Sequence, residues 1–159
     1  MERNTGTRVL LHTEQPFLAI GFAAALKNRH ELELVDCTND LRDATTRLLA
    51  ESPDVALIDA AAGLTLSELL DLHAVSPRTA IVLWGHMDAD ELVFPSVQLG
   101  IRGLIPAGMP VEELIALLQW AGSGTLCFQP GAMGTMRASY AMKNFPGGEP
   151  EQTLLHLVN

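Results

Sequence analysis

Two acidic residues follow short apolar runs of the sequence, where strands would deliver them to the edge of a sheet. Asp59 ends the run DVALID at 54–59, and Glu14 comes after the run RVLLH at 8–12 and Thr13. Carboxylates in such positions can act as nucleophiles or can bind Mg²⁺, a hard cation that prefers oxygen ligands. Asp59 and Glu14 are therefore among the first residues to examine for a functional role.

Apolar runs of strand length alternate with segments of helical spacing five times along the chain. The predicted strands are 8–12, 32–35, 54–59, Ala80–Trp84 and 102–106. The predicted helices begin at Pro16 and after Asn39 or Asp40, and then cover 64–73, 88–99 and 110–121. Since parallel strands need crossover connections, this order predicts an α/β fold with a five-stranded parallel sheet and helices on both faces. Functional groups are then expected at the carboxyl ends of the strands.

The composition indicates a globular domain and argues against several classes of function. Of the 159 residues, 48% are apolar and 18% are charged, which suffices for a core and is unlike a disordered chain. The formal net charge of −9 repels phosphate backbones, so we expect no direct contact between this chain and nucleic acid. The histidines show no metal-ligand spacing, and no phosphate-binding loop or hydrolase motif occurs. We therefore do not expect an enzyme.

The cysteines and the chain start predict the cellular compartment. Cys37 and Cys127 lie far apart in a sequence whose first residues form no apolar leader. Reduced thiols are the better interpretation than a disulfide. No stretch approaches the ~20 apolar residues that a membrane helix needs. These features predict a cytoplasmic protein that does not enter the membrane.

The alternation of predicted strands and helices ends after residue 121. Gly122 and Gly124 end the last predicted helix. Residues 125–148 have the composition of a linker that can hold a weak helix at 132–143. A new apolar pattern begins at 149–159, with the sequence EPEQTLLHLVN. The predicted division is therefore a domain at 7–124, a linker at 125–148 and the start of another element at 149–159.

Three motifs in sequence order carry a family resemblance. The segment PDVALID at 53–59 ends in Asp59, GIRGLI covers 100–105, and PVEEL opens the helix at 110. Together they resemble the receiver domain of response regulators of the LuxR-type (NarL/FixJ) subgroup, over about residues 8–127. The resemblance implies a flavodoxin-like (CheY-like) fold with Asp59 at the phosphoacceptor position. The segment 149–159 more loosely resembles the first helix of the subgroup's helix-turn-helix DNA-binding domain, and an ordinary tail helix is the alternative.

The same resemblance implies that the phosphorylation pocket lacks most of the residues that assist phosphoryl transfer in the family. Thr13 and Glu14 stand where the family has a pair of acids, so Mg²⁺ binding by Glu14 and Asp59 is expected to be weak. Three further family positions normally hold a small hydroxyl residue, a lysine and an aromatic switch residue. They are occupied here by Trp84, Ala107 and Leu104. An indole cannot imitate a small hydroxyl, and alanine cannot supply the lysine's charge.

Three functions are open at this point. The first is a LuxR-type transcriptional regulator whose receiver works with little or no phosphorylation, serving dimerisation or protein interaction while a C-terminal domain binds DNA. The second is a conventional receiver that a histidine kinase phosphorylates on Asp59. The third is a sensor of a small ligand, with Trp84, Leu104 and Ala107 around Asp59. A homodimer is expected from the family, and the exposed face of the helix at 110–121, with Trp120, is a candidate surface.

Overall fold

The computed structural model describes residues 6–85, 101–125 and 127–128. These residues form a six-stranded sheet with the strand order β2-β1-β3-β4-β5-β6, and each adjacent pair is parallel. The strands are β1 (Thr7–His12), β2 (Leu32–Thr38), β3 (Val55–Asp59), β4 (Ala80–Trp84), β5 (Ile101–Ile105) and β6 (Cys127–Phe128). The predicted α/β fold and its five parallel strands are confirmed. The two-residue strand β6 adds a sixth at the edge.

Four α-helices are found within the described residues, and local sequence signals explain where they begin. They are α1 (Pro16–Leu26), α2 (Leu41–Glu51), α3 (Leu66–Val75) and α4 (Val111–Gly122). Pro16 occupies the first turn of α1, where its missing N–H is not needed. The Asp40 side chain caps α2 by accepting from the backbone N–H of Asp43 at 2.7 Å. Of the two predicted caps of α2, Asp40 is thus the one that is used.

Helix α3 begins two residues later than predicted. Thr65 and Glu68 form a reciprocal capping box, in which each side chain accepts from the other residue's backbone N–H. Leu64 therefore lies before the helix, although its apolar side chain packs on the core. The predicted helices at 88–99 and 132–143 and the segment 149–159 lie outside the described residues.

Two apolar layers hold the helices against the sheet, one on each face. One layer joins α2 and α3 to the sheet and includes Leu48, Ile58 and Leu72. The other joins α1 and α4 to the sheet and includes Phe22, Leu57 and Leu118. Residues 55–59 are buried throughout, as expected for a parallel strand that is covered on both faces. The central strands are therefore fixed by packing, and the positions of their carboxyl ends are fixed with them.

No helix in the described part of the chain is long and apolar enough to cross a membrane.

Candidate functional site

The candidate site lies at the carboxyl edge of the sheet, where four neighbouring strands end side by side. Asp59 at the end of β3 pairs in register with Trp84 at the end of β4, and Trp84 pairs with Ile105 of β5. On the other side of β3, His12 at the end of β1 pairs with Ile58. The loops after β1, β3 and β5 therefore converge around Asp59.

The Asp59 carboxylate is buried and hydrogen-bonded by its own chain. Asp59 as a whole is only 5% exposed to solvent. Oδ2 accepts from the Thr13 hydroxyl at 2.7 Å and from the Gln15 amide nitrogen at 3.0 Å. Oδ1 accepts from the backbone N–H of Ala61 at 2.9 Å, which caps the short 3-10 turn Ala60–Ala62. A buried carboxylate needs such partners, and here the side-chain and backbone donors that supply them are neutral.

A second layer of hydrogen bonds holds the loop that carries these donors. The Thr13 hydroxyl accepts from the backbone N–H of Gln15 at 3.1 Å, and the backbone N–H of Thr13 donates to the carbonyl of Thr38 at 3.0 Å. The ring Nδ1 of His12 lies 2.9 Å from the Thr38 hydroxyl. Burial lowers the pKa of His12 below its ordinary value of 6.5, against the opposing effect of nearby carboxylates led by Glu14. A neutral imidazole is therefore favoured beneath the site.

The Trp84 indole packs inward from the end of β4. Its ring centroid lies 6.2 Å from that of Phe22 of α1, at an interplanar angle of 50°. The indole Nε1 is buried and has no hydrogen-bond partner within the described residues. Trp84 thus fills space between the sheet and α1, and it places no hydrogen-bond donor on Asp59.

A pocket of about 300 Å³ opens beside Asp59. Its described lining combines the carboxylate with one amide and several apolar groups, from Gln15, Leu18, Asp59, Ala61, Trp84, Gly85 and Ala107. No lysine or arginine is among these lining residues. Gly85 has φ +135°, and a Cβ there would lie 3.4 Å from the Cβ of Ala60 and 3.8 Å from Oδ1 of Asp59. Glycine therefore keeps the wall beside the carboxylate open.

The residues around Asp59 do not fit a Mg²⁺ site as they stand. Both acceptor positions of Oδ2 are taken by the hydroxyl of Thr13 and the amide of Gln15. The predicted second ligand, Glu14, is exposed and does not line the pocket. Within the described residues no group of three His, Cys, Asp or Glu side chains is arranged to hold a metal ion. A metal bound through Oδ2 would have to displace one of the two side-chain donors.

The structure brings most of the predicted site residues together and separates two of them. Asp59, Trp84 and Ala107 line one pocket, and Thr13 contacts the carboxylate directly. Leu104 is buried in the layer formed with α2 and α3, on the opposite face of the sheet from Trp84. The ligand hypothesis that placed Leu104 around Asp59 is wrong on that point. Glu14, as described above, lies at the surface.

Gln15 is the site residue that the sequence argument missed. It lies within the loop 12–15 that the strand-end rule selects, but an amide has no charge to attract attention there. Only the fold shows that the Gln15 side chain turns toward Asp59 while that of its neighbour Glu14 stays exposed. The available signal was that Gln15 is polar and directly follows Thr13 and Glu14, which stand at the positions of the family's acidic pair.

Comparison with known proteins supports the resemblance in the sequence. No model of a protein family matches the chain. The oxygen regulatory protein NreC of Staphylococcus epidermidis is 24% identical over 120 residues, which are 74% of this chain and 55% of NreC. This chain therefore spans about half the length of the curated relatives it matches.

Solved structures show the same fold. The signal receiver domain of the putative response regulator NarL from Mycobacterium tuberculosis has a TM-score of 0.67 and 21% identity, covering 75% of this chain and 98% of that one. A LuxR-family two-component response regulator from Aurantimonas sp. SI85-9A1 has a TM-score of 0.72 and 14% identity, covering 86% and 99%. At these identities the structural likeness establishes the fold alone.

Proposed function

We propose that the chain is a receiver domain of a LuxR-type response regulator, and an atypical one that works with little or no phosphorylation of Asp59; its similarity to NreC and its receiver fold support this. In this proposal it belongs to a cytoplasmic transcriptional regulator and has no catalytic activity of its own. Its role is dimerisation or protein interaction that controls DNA binding by a C-terminal domain. Residues 149–159 would be the start of that domain.

The observation that carries the proposal is the hydrogen bonding of Asp59. A carboxylate that accepts a phosphoryl group needs a free oxygen lone pair and positive charge to neutralise the transferred group. Here Thr13 and Gln15 occupy both lone pairs of Oδ2, and Ala61 occupies one of the two on Oδ1. Attack through Oδ2 would first have to break a contact of 2.7 Å or 3.0 Å. The carboxylate is thus already stabilised in its unmodified state.

The charge around the pocket supports the same conclusion. Ala107 holds the position of the family's lysine, and no lysine or arginine lines the described pocket. Phosphorylation would replace the single negative charge of the Asp59 carboxylate with a phosphoryl group that carries about two, in a chain whose net charge is already −9. Trp84 has no hydroxyl, and its only donor, the indole N–H, is buried without a partner in the described residues. The product of phosphorylation would therefore lack the partners that stabilise it.

The pocket itself favours a second candidate function, a sensor of a small ligand. Its volume of about 300 Å³ lies at the lower end of the usual range for ligand sites. The combination of a carboxylate, an amide and an indole suits a small molecule with a hydrogen-bond donor and an apolar body. Quenching of Trp84 fluorescence by such a compound, absent in Trp84→Phe, would favour this candidate over a purely structural role for the pocket.

Phosphorylation can be tested directly. The chain is incubated with acetyl phosphate and Mg²⁺, and separately with beryllofluoride, and is followed by intact mass and amide NMR. We expect no phosphoryl adduct and no shift of the amide signals of residues 59–63. A conventional receiver is the positive control, and Asp59→Asn identifies the site of any adduct. Stoichiometric modification of Asp59 would refute the proposal and establish a conventional receiver with a histidine kinase as its partner.

A further inference from the structure

The buried Asp59 carboxylate has no positively charged partner in the described part of the chain. Its donors are two side chains and one backbone N–H, and all three are neutral. The ion pairs between described residues join Arg8, Arg29 and Arg47 to other carboxylates. A charge that has left water without meeting an opposite charge is costly. The site therefore favours a positive charge that comes from outside the chain.

One lone pair of this carboxylate is left for a ligand, and it lies beside the pocket. Ala61 takes one of the two lone pairs of Oδ1, and no second donor to that oxygen is found among the described residues. Oδ1 lies 3.8 Å from the position that a Cβ would take at Gly85, which lines the pocket. Because residue 85 is a glycine, with a φ of +135° that other residues rarely adopt, a donor can approach Oδ1 from this side.

The lining of the pocket determines which kind of cation suits it. Asp59 and Gln15 supply its polar side chains. The other described side chains are apolar or aromatic and belong to Leu18, Ala61, Trp84 and Ala107. Mg²⁺ and Ca²⁺ need several oxygen ligands, which this lining does not offer. An indole ring attracts organic cations, and apolar walls gain from covering carbon atoms, so the lining suits a small organic ammonium.

The sequence around the lining residues leaves this place open to a ligand. The segments 13–18, 58–65, 84–100 and 106–110 include every lining residue of the pocket, and none of them contains a lysine or an arginine. A cationic ligand therefore meets no competing ammonium or guanidinium group from these segments. The net charge of −9 also attracts cations to the chain.

We propose that this pocket binds a small organic cation, a protonated primary amine with a short apolar chain. Its ammonium group donates to the free lone pair of Oδ1 of Asp59, and its carbon chain lies against Trp84 and Leu18. The ligand thereby supplies the positive charge that the described residues lack. This inference rests on the second candidate function, the sensor of a small ligand, and names its ligand class.

The test is an amide NMR titration of the 159-residue chain with three probes of similar size: n-butylammonium, n-butanol and butyrate. We expect n-butylammonium to shift the Ala61 and Gly85 signals saturably, because the Ala61 N–H shares Oδ1 with the ligand and Gly85 lies beside it. For so small a probe the dissociation constant should be on the order of 1 mM. The neutral and the anionic probe should bind at least about tenfold more weakly.

Two lysine variants test whether the pocket requires the ligand's charge. Ala107 is exposed and lines the pocket, so Ala107→Lys can place an ammonium group where the ligand's would lie. It should weaken binding of n-butylammonium at least about tenfold more than Ala107→Met, which adds an unbranched side chain without charge. Leu49→Lys adds the same charge on α2, away from the pocket, and should leave the dissociation constant unchanged. Circular dichroism establishes that each variant is folded.

The possible failures are distinguishable. If n-butanol or butyrate binds as tightly as n-butylammonium, or if Ala107→Lys and Ala107→Met weaken binding equally, the pocket does not prefer a cation; this inference then fails and the sensor function stands. If none of the three probes shifts the Ala61 and Gly85 signals, the inference and the sensor function fail together. The assay for phosphorylation of Asp59 reads a covalent mass change and is independent of either result.

Discussion

Replacing Thr13 with valine removes a single hydroxyl from the Asp59 site while keeping the shape and the branching of the side chain. The Thr13 residue is buried, and its hydroxyl makes two hydrogen bonds. It donates to Oδ2 of Asp59 at 2.7 Å and accepts from the backbone N–H of Gln15 at 3.1 Å. Thr13→Val therefore weakens the support of a buried carboxylate without opening a cavity.

The two bonds set the size of the expected effect. A hydrogen bond to a charged group contributes about 1.5–3 kcal/mol to stability, and one between neutral groups about 0.5–1.5 kcal/mol. Gln15 is exposed, so water can replace the lost partner of its N–H. Its amide still donates to Oδ2 at 3.0 Å, which limits the loss at the carboxylate. We expect Thr13→Val to lower the free energy of unfolding by about 2–3 kcal/mol.

The measurement is urea unfolding followed by circular dichroism, with the slope of the transition used to check that the unfolded states are comparable. Thr46→Val is the matched control, because the exposed Thr46 hydroxyl donates only to the carbonyl of Arg42 in α2. That change should alter stability by less than about 0.5 kcal/mol. Repeating Thr13→Val in an Asp59→Ala background isolates the pair. Equal losses in both backgrounds, or a loss no larger than that of Thr46→Val, would refute the structural role assigned to the hydroxyl.

Three further predictions concern other parts of the fold. Burial lowers the pKa of His12, so the contribution of the neutral ring to stability is complete above pH 6.5 and is lost as the pH falls through the folded-state pKa. His12→Gln should therefore reduce the change in the free energy of unfolding between about pH 7 and 5, measured by urea unfolding. Trp84→Phe removes an unpaired buried N–H and should cost less than about 1 kcal/mol in the same assay, whereas Trp84→Ala removes its packing and should cost about 3 kcal/mol. A Cβ at Gly122 would lie 2.7 Å from Cγ2 of Thr7, so Gly122→Ala should lower the melting temperature, while Gly108→Ala, with open space around it, should not.

The fold was predictable because its strands are continuous apolar runs. Residues 55–59 are buried along their whole length, so the apolar run in the sequence coincides with a strand that is covered on both faces. Strand β6 was not predicted, since two residues are too few to show a period. The start of α3 was predictable in principle, because Thr65 and Glu68 have the spacing of a capping box. The apolar Leu64 was instead counted as the first residue of that helix.

The candidate site was predictable in position but not in the direction of its side chains. The strand-end rule selects the loops that meet at Asp59, because it depends only on strand order. Leu104 was misplaced because its face depends on register: Ile105 pairs with Trp84, so Leu104 points to the other side of the sheet. Likewise, whether Glu14 or Gln15 turns toward Asp59 is decided by the backbone of one loop, which residue type alone does not fix.

The hydrogen bonds of Asp59 also change how its presence should be interpreted. A carboxylate here joins the loop after β1, through Thr13 and Gln15, to the turn after β3, through Ala61. An apolar residue would leave the buried Thr13 hydroxyl without its acceptor, which costs about 1–3 kcal/mol. In Asp59→Asn the amide N–H₂ would replace one of the two acceptor oxygens, so either the Thr13 and Gln15 donors or the Ala61 N–H would lose their acceptor. The aspartate can therefore be required by the fold alone. A loss of function in Asp59→Asn would follow from broken hydrogen bonds as readily as from a lost phosphoacceptor, and the two causes separate only when stability and phosphoryl mass are measured on the same variant.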